Sequence, residues 1–92
     1  MNEKDAMHTL CQAIMSIKNE EECVAFLDDL LSKHELESLS SRVYSAKLLQ
    51  EGKTYLQTIA EVKISSATLA RVSKCVKNGK GYNTIIPRIG HK

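Results

Sequence analysis

Residues 54–76 read TYLQTIAEVKISSATLARVSKCV, and how this stretch folds decides the architecture of the chain. Thr54 and Gln57 have the spacing of a capping box, in which each side chain satisfies the other residue's free backbone N–H. This predicts a short helix running to about Val62. Lys63 and Ile64 make a tight turn. Ser65 then caps a second helix that reaches about Lys77, where Asn78-Gly79 supplies a stop. Val62, Ile64, Leu69, Val72 and Val76 are placed to plug the angle between the two helices, while Ser66, Ala67, Ala70, Arg71, Lys74 and Lys77 fall on the opposite side. A second helix that is small at its start and basic further along is the layout of a helix-turn-helix. There the second helix enters the major groove with its N-terminal residues at base edges, and the first crosses the backbone.

The residue types follow the chemistry. Ser and Thr hydroxyls bond to several base edges, Ala touches a thymine methyl, and Arg makes a bidentate contact with guanine. Lysines at turns and helix ends meet phosphates. Ser66, Ala67, Thr68, Ala70 and Arg71 are therefore the expected base-contacting set, with Lys63, Lys74, Lys77 and Lys80 on phosphates. The competing account is two ordinary packed helices with a solvated basic face, in which Arg71 pairs with Glu61.

Upstream, Ala6, Leu10, Cys11, Ile14 and Ile17 recur at helical spacing and predict a helix from about Asp5 to Ile17, its stripe widened by Met7 and Met15. Asn19 and Glu22 form an N-cap pair for a second amphipathic helix carrying Cys23, Phe26, Leu27, Leu30 and Leu31. Ser32 and Glu35 repeat the capping-box spacing at the start of a third helix, whose stripe of Leu36, Leu39, Val43, Ala46 and Leu49 ends at Gly52. Serines 38, 40, 41 and 45 weaken its middle, so a kink is expected near Ser40. After Gly81, Ile85, Ile86 and Ile89 surround Pro87 in a tail too short for an independent element and too apolar to stay free. It should pack on the body or on a partner subunit. No alternating run argues for a strand. The expectation is an all-α single domain over 1–92, with a helical dimerisation body at 1–52, the helix-turn-helix at 54–77 and a C-terminal tail at 81–92.

A chain of 92 residues buries only about two-thirds of its unfolded surface, and association with a second copy is one remedy for that thin margin. The net charge of +2 hides a division: residues 1–41 carry three lysines against nine acids, a net of −6, whereas residues 42–92 carry ten basic groups against two acids, a net of +8. Half the molecule is built to approach a polyanion and half is not. Solvated faces explain either half alone better than they explain the split. With no Trp, one Phe and three Tyr, stacking on single strands has little to work with.

Three cysteines without CxxC spacing, Cys11, Cys23 and Cys75, point to a reduced, cytoplasmic protein. No apolar stretch reaches membrane-spanning length, and the opening MNEKDAMH is too polar for a secretory signal. His8, Cys11 and Cys23 fall short of the four paired ligands a structural zinc takes, so no metal is expected. His34 and His91 lack a nearby nucleophile or carboxylate pattern, and NGKGY at 78–82 follows a helix instead of opening one. No enzyme chemistry is expected, and no cofactor.

At this point the chain resembles a known family. Leu39–Val43 (L-x-S-R-V), Leu48–Gly52 (LL-x-x-G), Thr54–Tyr55 and Ser66–Val72 (S-A-T-L-x-R-V) are similar to the Trp repressor superfamily, and more closely to its YerC/YecD-type relatives. EEC-x-x-F-x-DDL at Glu21–Leu30 adds a match outside the DNA-reading region. The resemblance implies a six-helix, intertwined homodimer whose N-terminal helices interlock and whose two heads face successive major grooves of double-stranded DNA. In a two-fold dimer these would sit about 34 Å apart on an inverted repeat. It further implies that Arg42 and Arg71 match the two arginines that sandwich bound tryptophan, which with Ser32 makes them walls of a candidate effector cleft. The family glycine after the second arginine is Val72 here, and its two extra methyl groups argue against tryptophan. A glycine is also usual where Lys63 stands, so the turn needs either a strained lysine or a modified geometry. Two rivals remain open: a small-molecule sensor using the Arg42 and Arg71 cleft, and a protein-interaction module with a basic face. In the absence of a ligand Arg42 would pair with Glu37 or with an acid of another subunit.

Overall fold

A computed structural model describes residues 1–89. Six α-helices follow one another: α1 (Glu3–Met15), α2 (Glu20–Leu30), α3 (Lys33–Gln50), α4 (Tyr55–Glu61), α5 (Ser66–Asn78) and α6 (Gly81–Ile85), closed by a 3-10 turn at Ile86–Arg88. There is no strand among the described residues. None of their helices is long and apolar enough to cross a membrane. The contacts divide the chain into two compact units, Met1–Lys33 and His34–Lys92. The third helix thus groups with the C-terminal elements, whereas sequence reasoning placed it with the first two.

In the first unit α1 starts two residues earlier than its apolar stripe suggests, because Asn2 caps it: the Asp5 amide donates to Asn2 Oδ1 at 2.8 Å. It also ends at Met15, so Ile17 lies beyond it. Asn19 caps α2 by accepting from the Glu22 amide at 2.8 Å, and Glu22 reaches back to the Lys18 amide at 3.0 Å. Three acids in the first turn of α2 face the positive end of its dipole. Neither helix buries a single residue, and Met7, Ile14, Met15 and Val24 stand more than half exposed.

The second unit holds the core. Ala46 of α3, Leu69 and Val72 of α5 and Ile86 of the 3-10 turn form a buried cluster, with Leu49, Ile59, Ile64, Val76 and Tyr82 packed against it. α3 runs unbroken from Lys33 to Gln50. The Ser40 hydroxyl donates to the Leu36 carbonyl one turn back, at 2.8 Å, so the serine's polar group is satisfied within the helix. Only the C-terminal half of its stripe is covered; Leu39 and Val43 remain exposed. At its end Gly52 adopts φ 95°, the Gly52 amide donates to Leu49 and the Lys53 amide to Leu48, the two bonds of a Schellman cap.

The tail packs on the body, as expected, but is more regular than its length implied. Instead of irregular chain, residues 81–88 form α6 and the 3-10 turn, and Ile86 enters the core. Side-chain bonds tie it down: Gln50 Nε2 donates to the Tyr82 carbonyl at 3.2 Å and to Asn83 Oδ1 at 2.9 Å, and Asn83 Nδ2 donates to the Gly79 carbonyl at 2.7 Å. Gly79 closes α5 by close approach, since a Cβ there would sit 2.6 Å from the Cys75 carbonyl oxygen. Its own φ of −85° is one any residue adopts. Residues 90–92 of the expected tail, His91 among them, lie outside the described residues.

Candidate nucleic-acid interface

The pair α4 and α5 is built as its sequence predicts at both starts. Thr54 and Gln57 form a complete capping box: the Gln57 amide donates to Thr54 Oγ1 at 3.1 Å and the Thr54 amide to Gln57 Oε1 at 2.8 Å. Ser65 caps α5, accepting from the Thr68 amide at 3.1 Å. Between them the turn contains no glycine and no residue of positive φ, Gly52 being the only such residue described. Val62 and Ser65 at its two ends are both extended, at φ −119°, ψ 133° and φ −73°, ψ 154°. Of the two alternatives the sequence posed, the geometry is modified and Lys63 is not strained.

Inside the angle, Thr58 is fully buried and donates to the Thr54 carbonyl at 2.9 Å. Val62, four residues on, is also buried, Ile64 is half-buried, and Leu69 and Val72 are 0% and 1% exposed. One side of α5 is thus fixed in the core. Its other side carries Ser66, Ala67, Ala70, Arg71, Lys74 and Lys77, all exposed. Thr68 is half-buried, and its hydroxyl accepts from Ser65 Oγ at 2.9 Å. Lys63 and Lys80 are exposed.

None of these cations is neutralised by a described acid. Among the described residues the ion pairs are Lys47 with Glu51 at 3.3 Å and Lys53 with Glu61 at 3.9 Å. Glu61 is therefore engaged by Lys53, not by Arg71. A row of free cations on a fixed helix raises the local potential that a polyanion meets.

The two arginines of the expected effector cleft have different surroundings. Arg42 is half-buried, with Nη2 donating to Ser38 Oγ at 3.2 Å and Nε buried without a described partner. Its pairing with Glu37 is not formed. Arg71 is exposed. Ser32 belongs to the other unit. An open groove of about 890 Å³ runs instead between the start of α3 and the turn, with His34, Glu37 and Ser41 facing Lys63, Ser65 and Thr68. Neither arginine lines it. Val72 spends its methyl groups on the core cluster with Ala46, Leu69 and Ile86.

Sequence reasoning passed over one contact in this region. The Tyr55 hydroxyl donates to the Ser66 carbonyl at 2.7 Å, joining the first residue of α4 to the first of α5. A side-chain-to-carbonyl bond across eleven positions leaves no periodic trace. Only the placement of a long, polar-tipped ring directly after an N-cap hints at it.

Comparison with known proteins bears on the same elements. The model of the Trp repressor protein family matches residues 5–89. The chain belongs to the Trp repressor family. This is a family of repressors, not of enzymes. The Bacillus subtilis (strain 168) protein YerC is 38% identical over 81 residues, covering 87% of this chain and 78% of YerC. Among solved structures, a candidate Trp repressor from Staphylococcus aureus aligns at TM-score 0.86 and 37% identity over 92% of this chain and 86% of that one. A TrpR-like protein from Eubacterium eligens ATCC 27750 aligns at TM-score 0.85 and 35% identity over 96% and 94%. The all-α Trp repressor-like fold thus extends well beyond the motifs quoted above.

Proposed function

We propose that this chain is a sequence-specific, repressor-like DNA-binding regulator that acts in the cytoplasm as a homodimer on an inverted-repeat operator, with α4 and α5 as its helix-turn-helix. The observation that carries the reading is the division of α5. Leu69 and Val72 are sealed in the core, and Arg71, Lys74 and Lys77 stand exposed and without ion pairs on the opposite side. Ser66, Ala67, Thr68, Ala70 and Arg71 then lie nearest the bases, and Lys63, Lys74, Lys77 and Lys80 hold phosphates. Thr68 contributes its methyl group and its own hydroxyl hydrogen, since the bond from Ser65 occupies only an acceptor position of that hydroxyl.

The homodimer is supported by the first unit. Two amphipathic helices that bury nothing within their own chain leave apolar stripes for another copy to cover. Tryptophan is not assigned as an effector, because Val72 stands where the family resemblance calls for glycine and is packed in the core.

Selection of bound duplexes from a random pool tests binding and symmetry together. The expected product is an inverted repeat whose half-sites lie about one helical turn apart. Its affinity should fall steeply between low and moderate salt as counterions compete for the phosphates. A pool that returns no enriched sequence, with retention insensitive to salt, would remove the DNA reading in favour of an interaction module. A change in melting temperature on adding amino acids or nucleotides would instead favour the sensor.

A further inference from the structure

We infer that Tyr55 is a positioning residue of the reading surface: its hydroxyl braces the head of α4 against the head of α5 and sets the angle at which α5 is presented. The inference rests on the DNA-binding role proposed for α5, and its argument begins at the turn.

Residues 62–65 join the two helices through extended backbone at both ends, with no left-handed residue to lock the corner. Such a joint does not set the angle by its own backbone, which leaves the angle to contacts made outside it. α4 has only seven residues, about 10 Å of helix, so it offers little lever arm for packing to hold its direction. Thr58 and Val62 are buried and Ile64 is half-buried inside the angle. A contact from the far end of α4 to the residue just past the turn closes a triangle of α4, turn and bond that fixes where α5 begins, and Leu69 and Val72 hold the helix farther along, so the two anchors together set its direction.

Tyr55 supplies that third side. Its 2.7 Å bond falls on the carbonyl of Ser66, the first residue of α5 and the first of the expected base-contacting set. Tyrosine suits the task because its reach is long and only two side-chain torsions must be fixed. The hydroxyl end of the bond is exposed to solvent, and the residue as a whole is 37% exposed. Removing the oxygen therefore strands no buried polar group. Tyr55→Phe keeps the ring and deletes the brace alone.

Two measurements on Tyr55→Phe decide the matter. In the free protein, residual dipolar couplings report the mutual orientation of α4 and α5, and the variant should show a changed or more broadly averaged angle with the couplings inside each helix retained. On DNA, the ratio of affinities for a selected duplex over a scrambled one should fall roughly 2- to 10-fold, the worth of one hydrogen bond of orientation. The scrambled duplex and its salt slope should change little, because phosphate contacts tolerate a few degrees of tilt. Unchanged couplings with an unchanged ratio overturn the inference, and so does equal loss on both duplexes, which marks a general loss of structure. If the unaltered protein does not discriminate between duplexes, the DNA role falls, while the couplings still decide whether Tyr55 holds the angle.

Discussion

Of the two units of this chain, the one richer in apolar residues is the one without a core. Residues His34–Lys92 bury Ala46, Leu48, Val62, Leu69, Val72 and Ile86, and they carry most of the positive charge. Residues Met1–Lys33 carry most of the acids and bury nothing, although α1 and α2 have regular apolar stripes. An amphipathic stripe is a demand for a partner, and only in the basic unit is the demand met inside the chain. On the function proposed above, the difference separates two jobs: the basic unit would hold a reading surface still, and the acidic unit would find its complement in a second copy.

The sharpest way to break this contrast is to make the same kind of change on each side of it. Leu69→Ala opens a cavity at a fully buried site and should cost about 2–5 kcal/mol, seen as a fall in the denaturation midpoint that is the same at every protein concentration. Ile14→Ala removes a side chain that is half exposed in the single chain. If a second copy covers it, the loss is about 1 kcal/mol per chain and must appear as weaker association in sedimentation, with a melting temperature that depends on concentration. A neutral effect at all concentrations would show that α1 is not covered by a second copy.

The next tests act on the charge difference. Arg71→Ala should cost about 1–3 kcal/mol, concentrated at one base position, when the variant is run against a panel of single-base operator changes. Lys77→Ala should have the smallest effect, a nearly uniform weakening on all sequences with the log–log salt slope reduced by about 1. Identical patterns from the two variants would erase the distinction between reading and holding residues on α5.

Much of the reading surface was legible because it is local. Capping boxes, N-caps and glycine stops depend on residues three or four apart, so Thr54–Gln57, Ser65 and Gly52 announce their roles in order. The inward set of Val62, Ile64, Leu69, Val72 and Val76 follows from helical period and is found buried or half-buried. What failed was longer in range. Leu39 and Val43 share a stripe with Ala46, but only the end of that stripe meets α5 and the tail. The serines of α3 leave it uninterrupted, with the Ser40 hydroxyl bonded back to the Leu36 carbonyl. The tail's helical turns depend on Gln50 and on the Gly79 carbonyl, partners supplied from outside the segment.

By itself the sequence determined the number and order of the main helices, their capped starts, the division of charge and the outward face of α5, because each is written in spacings of a few residues or in sums over a segment. Only the tertiary structure decided which half of α3 is covered, where the tail goes, how a turn without glycine closes, and that Tyr55 meets Ser66. These depend on groups brought together from distant positions, and hydrophobic period fixes the face of a helix without saying which neighbour, or which hydrogen-bond acceptor, will come to lie against it.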